Sequence, residues 1–282
     1  MKKISSLAVI GAGNIGTAIA RGLAGADGLD PAAITLTRRH GDKLHALAAE
    51  GFTTSTDNLA AVKANDLVVI AVEPSQLNDL LVQIGPAFEA GRHTVISVVT
   101  GANVEDIGGY LPAGVMVVRA MPNTAIAVGE SMTCLAAGPG GQAGLALADQ
   151  VFGSVGITLV IDEDQMSSAT ALCACGTAFF LRAIRAASQG GIEIGFHSDD
   201  ALAMAAQTAK GAAALLRARG RHPEREIDQV TTPRGATISG LNEMEHQGFS
   251  SALIRGITTS AGKVEKLYRK GDRTPVALPG SD

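Results

Sequence analysis

Leu7-Ala8-Val9-Ile10-Gly11-Ala12-Gly13-Asn14-Ile15-Gly16 decides the fold of this chain. Leu7–Ile10 is a continuous apolar run, the pattern of a strand buried on both faces. A G-x-G-x-x-G turn follows, then an Ala-rich stretch from Asn14 to about Ala26 that reads as a helix. Strand, glycine turn and helix open a βαβ unit. The rhythm continues outward. Ile34–Thr37, Leu67–Val72, Thr94–Val99, Val115–Ala120, Met132–Ala137 and Ile157–Ile161 read as strands, β-branched and flanked by turn residues. Lys43–Glu50, Asn58–Lys63, Ser75–Phe88 and Gly141–Phe152 read as the helices between them. The pattern predicts an α/β Rossmann-type N-terminal domain with a doubly wound, mostly parallel sheet over residues 1–161.

After Asp162 the pattern turns helical throughout. Asp162 is expected to cap a long Ala-rich helix to about Ala187, ended by Gly190-Gly191. A second helix runs from Ser198 to about Arg219 and stops at Gly220. A short helix reaches about His246, and Gly248 precedes a last one in which Phe249, Leu253, Ile257, Val264 and Tyr268 recur at helical spacing. These wide apolar faces exceed what a small domain needs to cover itself. They predict an all-helical C-terminal dimerisation and substrate domain over residues 162–270, and hence a homodimer. The tail, 271–282, carries two Pro and two Gly and is expected to be mobile.

Bulk properties agree with two domains. The chain has 282 residues, 46% of them hydrophobic, with 34 Gly, no Trp and 3% aromatics. The net charge of −4 is spread without a basic run, which argues against a nucleic-acid partner. The first apolar run is broken by Gly11, too early for a signal sequence or a membrane span, so a cytoplasmic protein without a membrane partner is expected. Cys134, Cys173 and Cys175 are an odd set, expected to be reduced thiols. None has the partners of a metal site, so no metal is expected.

The glycine loop has the context that a dinucleotide requires. Gly11 allows the tight turn, Gly13 lets a pyrophosphate reach the backbone beside Asn14 and Ile15, and Gly16 lets helix pack on strand. An acid at the end of the second strand would bind a ribose 2′-OH. Here Thr37-Arg38-Arg39 stands there instead, two guanidiniums and a hydroxyl suited to a 2′-phosphate. NADPH is therefore expected, with NADH as the lesser alternative. Further cofactor contacts are expected from loops at strand ends: Asn58, Ala71, Val72, Pro74, Thr100, Met121, Pro122 and Asn123. Asn58 and Asn123 suit a ribose or carboxamide, and suit a turn or cap equally well.

A second anion site is readable in Val230-Thr231-Thr232-Pro233-Arg234-Gly235-Ala236-Thr237. Thr232 suits a helix N-cap and Pro233 the first helical position. The amides of Arg234, Gly235 and Ala236 would then face outward at the positive end of a helix dipole. Thr231, Thr232 and Thr237 add hydroxyls, and the whole suits a small carboxylate.

Together, Gly11–Gly16, Ala71-Val72-Glu73-Pro74, Arg119–Thr124, Val128-Gly129-Glu130 and Val230–Thr237 resemble pyrroline-5-carboxylate reductases over nearly the whole chain. The resemblance implies NADPH-dependent reduction of L-1-pyrroline-5-carboxylate to L-proline, the last step of proline biosynthesis, by an oxidoreductase acting on a C=N bond. It also implies interlocked dimers, assembled further into decamers. Thr237 matches the hydroxyl near the ring nitrogen and is the candidate catalytic residue. Thr231, Thr232, Arg234, Gly235 and Ala236 are candidate substrate contacts, joined by Cys175 and Gly176 from the segment opening the second domain.

Three departures stand out. Arg234 replaces the first of two glycines, Cys173–Phe179 replaces a Ser-Gly-Ser-Gly-Pro-Ala-Tyr type segment, and Glu73 replaces a lysine. The first two leave open a reductase of another small cyclic imine or imino acid. A non-catalytic NADPH-binding regulatory protein would have no use for the Thr-Pro anion site. A hydroxyacid dehydrogenase would be expected to carry a lysine within Asp162–Ala187, which has none.

Overall fold

The computed structural model describes residues 4–24 and 29–268. Its sheet has eight strands: β1 Leu7–Ile10, β2 Ile34–Thr37, β3 Thr53–Ser55, β4 Leu67–Ile70, β5 Thr94–Ser97, β6 Met116–Met121, β7 Ser131–Ala137 and β8 Gly156–Val160. Their order is β3-β2-β1-β4-β5-β6-β7-β8, parallel except for β6–β7. That exception has a local cause. The link from β6 to β7 is a short 3-10 turn, Thr124–Val128, closed by Gly129 in the left-handed region, and a link so short returns the chain antiparallel.

Alternation along the buried strands feeds two apolar layers. Leu7 and Val9 face one, with Ile19, Val151 and Phe152; Ala8 and Ile10 face the other, with Val62, Leu77 and Leu81. Helices α1 (Asn14–Leu23) and α6 (Gln142–Gly153) supply the first layer, and α3 (Asn58–Ala64) and α4 (Leu77–Ile84) the second. Two short helices complete this part, α2 (His45–Ala49) and α5 (Val104–Gly108). The strand order reverses between β1 and β4, which places a ligand crevice at their carboxyl ends.

The compact units differ from a division at residue 162. One unit runs to Cys175 and takes up the chain again from Ser260; the other is Gly176–Thr259. The early helical residues stay with the sheet because Met166 is buried against Met121, Cys134 and Ala136, with Cys173 beside them. These residues form α7 (Met166–Ala169) and a π-helical turn, Thr170–Cys175. Asp162 makes no side-chain cap.

The second unit holds α8 (Gly176–Glu193), α9 (Ser198–Arg219), α10 (Pro223–Val230), α11 (Ala236–His246) and most of α12 (Phe249–Val264). Gly190-Gly191 does not end α8. A Cβ on Gly191 would lie 3.0 Å from that of Ala201, so the glycine serves close packing of α8 on α9. Gly220 does stop α9, at φ 58°. Tyr268 lies beyond the end of α12, and the 271–282 tail falls outside the described residues. Phe180, Leu181 and Ile254 are each about 60% exposed in this chain, an apolar surface of the kind that a second copy covers. The helical stretch Glu163–Glu193 has the length and hydropathy to cross a membrane, and Arg182 and Arg185 lie within it.

Candidate functional site

A cleft of about 680 Å³ opens at the carboxyl ends of β1, β2 and β4. Gly11 and Gly13 form its floor, Arg38 and Arg39 one end, and Asn58, Ala71 and Val72 a wall. The floor is built as its glycines require. Gly11 sits at φ 104°, and a Cβ there would lie 2.7 Å from the Ala71 carbonyl oxygen. A Cβ on Gly16 would collide with the Gly11 carbonyl, so this glycine packs beneath the turn and stays out of the cleft. Nothing lies within 4 Å of the Cβ position of Gly13. Gly13 is also the N-cap of α1 and offers no side-chain cap, so the first-turn amides of Asn14 and Ile15 remain for an anion.

The far end of the cleft holds positive charge close to the loop. Arg38 donates from Nη1 to the Ala12 carbonyl at 2.9 Å, and the Thr37 carbonyl accepts from the amides of Gly11 and Ala12 at 3.2 and 2.7 Å. Arg38 is half-buried and Arg39 exposed. Thr37 lies differently from its expected role. Its side chain is fully buried, and its Oγ1 has no hydrogen-bond partner among the described residues. Position Thr37 therefore serves mainly through its backbone. His40, Thr56, Glu73, Ser75 and Gln76 also line the cleft, though nothing in their spacing marked them. An uncapped helix start, an open glycine floor and paired guanidiniums fit a dinucleotide with a 2′-phosphate.

Other expected cofactor residues are not on this wall. Pro74 begins the turn that leads into α4. Thr100 lies in the loop after β5, next to Gly101, whose missing Cβ lets Tyr268 pack against it: a Cβ there would lie 2.7 Å from that of Tyr268. Met121, Pro122 and Asn123 are all buried. Asn123 is occupied by the fold: Oδ1 accepts from the Ala125 amide at 3.0 Å, and Nδ2 donates to the Cys173 carbonyl at 3.3 Å. The cap alternative describes it.

The buried Arg119 stands at the same end of β6. Burial pushes its guanidinium down from the ordinary value, opposed by Glu163 at 3.6 Å and by Asp106. Glu163 also accepts from the Val104 amide at 2.6 Å. The carboxylate thus ties the start of the helical region to β6 and α5.

In the second unit, the Thr-Pro segment differs from the expected cap. Thr232–Gly235 is a β-turn, closed by the Gly235 amide donating to the Thr232 carbonyl at 2.9 Å. α11 begins only at Ala236, with Gly235 as its N-cap and no capping side chain. Pro233 therefore fills the second turn position and Arg234 the third, at φ 60°, the one non-glycine left-handed residue among those described. The Gly235 amide is spent on the turn, so the outward amides begin at Ala236 and Thr237. Thr237 is exposed in the first turn of α11, and so is Arg234 in the turn before it. Thr231 donates its hydroxyl to the Ile227 carbonyl at 2.7 Å. Cys175, the last residue of the first unit's opening stretch, ends the π-helical turn and is partly exposed; Gly176 opens the second unit as the first residue of α8 and is buried.

A dinucleotide cleft on a doubly wound sheet, joined to a helical unit with exposed apolar side chains, marks the class of NAD(P)-linked oxidoreductases. Residues 6–101 match the family model described as NADP oxidoreductase, coenzyme F420-dependent, and residues 163–267 match pyrroline-5-carboxylate reductase dimerisation. Pyrroline-5-carboxylate reductase 2 of Dictyostelium discoideum is 46% identical, covering 94% of this chain and 94% of that protein. Pyrroline-5-carboxylate reductase 1 of the same organism is 50% identical over 94% of this chain, which spans half of that protein's length. A Plasmodium falciparum pyrroline carboxylate reductase, solved with NADP bound, superposes with a TM-score of 0.85 at 22% identity, covering 95% of this chain and 100% of that one. The chain belongs to the pyrroline-5-carboxylate reductase family, NADP-dependent oxidoreductases.

Proposed function

We propose that this chain reduces L-1-pyrroline-5-carboxylate to L-proline with NADPH, as a homodimer in the cytoplasm that assembles further into decamers. The cleft with Arg38 and Arg39 at its 2′-phosphate end carries the cofactor half of this reading. The residues 1–161 serve the cofactor, and 162–270 serve dimerisation and the substrate carboxylate.

NADPH, when bound, supplies the hydride. A protonated cyclic imine is already electrophilic at carbon, so the protein's task is orientation and exclusion of water. The Gly11–Gly13 floor and the first turn of α1 hold the pyrophosphate, and Arg38 and Arg39 hold the 2′-phosphate. Met121 and Pro122, buried in this chain, would support the nicotinamide end from beneath. The substrate carboxylate docks on the Ala236 and Thr237 amides, with the exposed Thr232 hydroxyl on the turn before them. Thr237 Oγ1 hydrogen-bonds the ring nitrogen. Arg234 is held on the solvent side of its turn. No His or Glu base is needed, in line with an imine and unlike a 2-hydroxy acid.

The Cys173–Phe179 departure favours one second reading, a reductase of a related cyclic imine. Following NADPH oxidation with pyrroline-5-carboxylate, piperideine-6-carboxylate, pyruvate and no substrate separates the readings. Turnover with pyrroline-5-carboxylate alone, or well above the six-membered imine, is expected. Turnover of the six-membered imine alone would move the assignment to it, and none with either imine would remove it. Sedimentation of the same preparation reads the oligomer.

A further inference from the structure

We propose that Cys134 and Cys173 form a peroxide-responsive thiol pair, which closes to a disulfide beside the substrate segment. The two side chains come from distant parts of the sequence, β7 and the π-helical turn, and meet in one apolar cluster with Met121 and Met166. Their thiols share a hydrogen bond. Cys134 is 3% exposed, whereas Cys173 is partly open to solvent. This asymmetry divides the roles. Cys173 meets the oxidant, and Cys134 waits behind it, shielded from direct attack. Charge agrees with that division. The hydrogen bond from Cys134 lowers the Cys173 thiol to about 7, while the same bond and burial push Cys134 up.

The chemistry balances with hydrogen peroxide as oxidant. The Cys173 thiolate attacks one peroxide oxygen, an S–O bond forms, the O–O bond breaks, and hydroxide leaves as water after taking a proton. Cys134 sulfur then attacks Cys173 sulfur. The S–S bond forms, the S–O bond breaks, and the departing hydroxide takes the Cys134 proton. Two thiols lose two electrons and two protons, and one peroxide becomes two waters.

Closure has a mechanical consequence. Thiols in hydrogen-bond contact must draw together to an S–S bond of about 2 Å. Cys173 cannot move alone, because its carbonyl accepts from Asn123 Nδ2 and it lies two residues before Cys175. The shift therefore displaces the Asn123 turn and the Cys175-Gly176 segment together. Cys173 stands in the segment that departs from the serine-bearing pattern the chain otherwise resembles. A disulfide of this kind in a reducing compartment is transient.

The test treats the whole, reduced protein with a small molar excess of hydrogen peroxide, blocks free thiols, and cleaves after glutamate without reduction. Glu163 separates the peptide Ser131–Glu163, which holds Cys134, from Asp164–Glu193, which holds Cys173 and Cys175. A cross-linked pair two hydrogens lighter than its parts is expected in the wild type and in Cys175→Ser. It is absent in Cys173→Ser and in Cys134→Ser or, should that variant fold poorly, Cys134→Ala. A Cys173–Cys175 loop, or both thiols left free while Cys175 oxidises, overturns the proposal. Imine reduction is expected to fall by about tenfold to a hundredfold on oxidation and return with dithiothreitol. That last measurement rests on the proposed reductase activity; the cross-link does not, so the two fail separately. A cross-link with unchanged turnover would overturn the inhibitory role.

Discussion

Arg38 Nη1 donates to the carbonyl of Ala12 at 2.9 Å, so the end of β2 clamps the middle of the glycine loop. Arg38 therefore shapes the cleft for any dinucleotide, while the exposed Arg39 is free to follow the 2′-phosphate. The two arginines should separate by experiment. Arg38→Ala is expected to weaken NADH by about tenfold, the scale of one charge-assisted hydrogen bond, and NADPH further still. Arg39→Ala should weaken NADPH alone and narrow the cofactor preference. Fluorescence titration with both cofactors reads this directly. If the double variant keeps the wild-type preference, the 2′-phosphate site is elsewhere.

Arg234 occupies a turn position at φ 60° that costs an L-residue about 1 kcal/mol. Arg234→Gly should raise Tm by about 2–4 °C. Gly235→Ala should do the reverse, because the new Cβ would lie 2.5 Å from Thr232 Oγ1 and 2.9 Å from its carbonyl oxygen. Calorimetry of both variants checks the pair. An unchanged or lower Tm for Arg234→Gly would mean that the arginine side chain makes a compensating contact.

Glu163 partly neutralises the buried Arg119 and accepts from the Val104 amide. Removing it leaves the buried cation facing the more distant charge of Asp106. Glu163→Gln is expected to lower stability by about 2–3 kcal/mol, and Arg119→Met together with Glu163→Gln to recover most of that loss. Urea denaturation of the two single variants and the double variant gives the coupling. Additive losses would show that the pair acts through separate contacts.

Much of this architecture is legible before any coordinates. Leu7–Ile10 and Leu67–Ile70 are buried on both faces, so each is an unbroken apolar run, and the glycine loop between strand and helix has few other uses. What was missed had weaker or ambiguous signals. β3 is Thr53-Thr54-Ser55, an edge strand with no apolar run to announce it. α5 is only five residues long, though its Asn103–Asp106 capping box was a usable signal. α10 was announced only by Pro223. The Thr232-Pro233 pair fits a helix start and a β-turn equally. The left-handed residue that decides for the turn is Arg234, where a glycine would have given it away. Gly190-Gly191 looks like a helix stop because sequence cannot distinguish a glycine needed for φ from one needed for packing. Asn123 caps its turn through the Ala125 amide, and its side-chain nitrogen is taken by the carbonyl of Cys173, fifty positions later, which no local pattern announces.

Thr237 offers the sharpest test of the proposed chemistry. It lies exposed in the first turn of α11, whose N-cap Gly235 contributes no side chain. Its amide and its hydroxyl therefore have different duties. In the proposed docking, the amide holds the carboxylate whatever the side chain is, and the hydroxyl bonds the ring nitrogen. Thr237→Ala should keep the first and lose the second. Catalytic efficiency is expected to fall by about tenfold or more, carried mainly by kcat if the hydrogen bond strengthens in the transition state. Thr237→Ser keeps the hydroxyl and should recover most of the rate. A loss in KM alone would assign the hydroxyl to ground-state binding of the carboxylate. Wild-type kinetics in Thr237→Ala would remove it from the mechanism and leave orientation by the α11 amides as the main contribution of this segment.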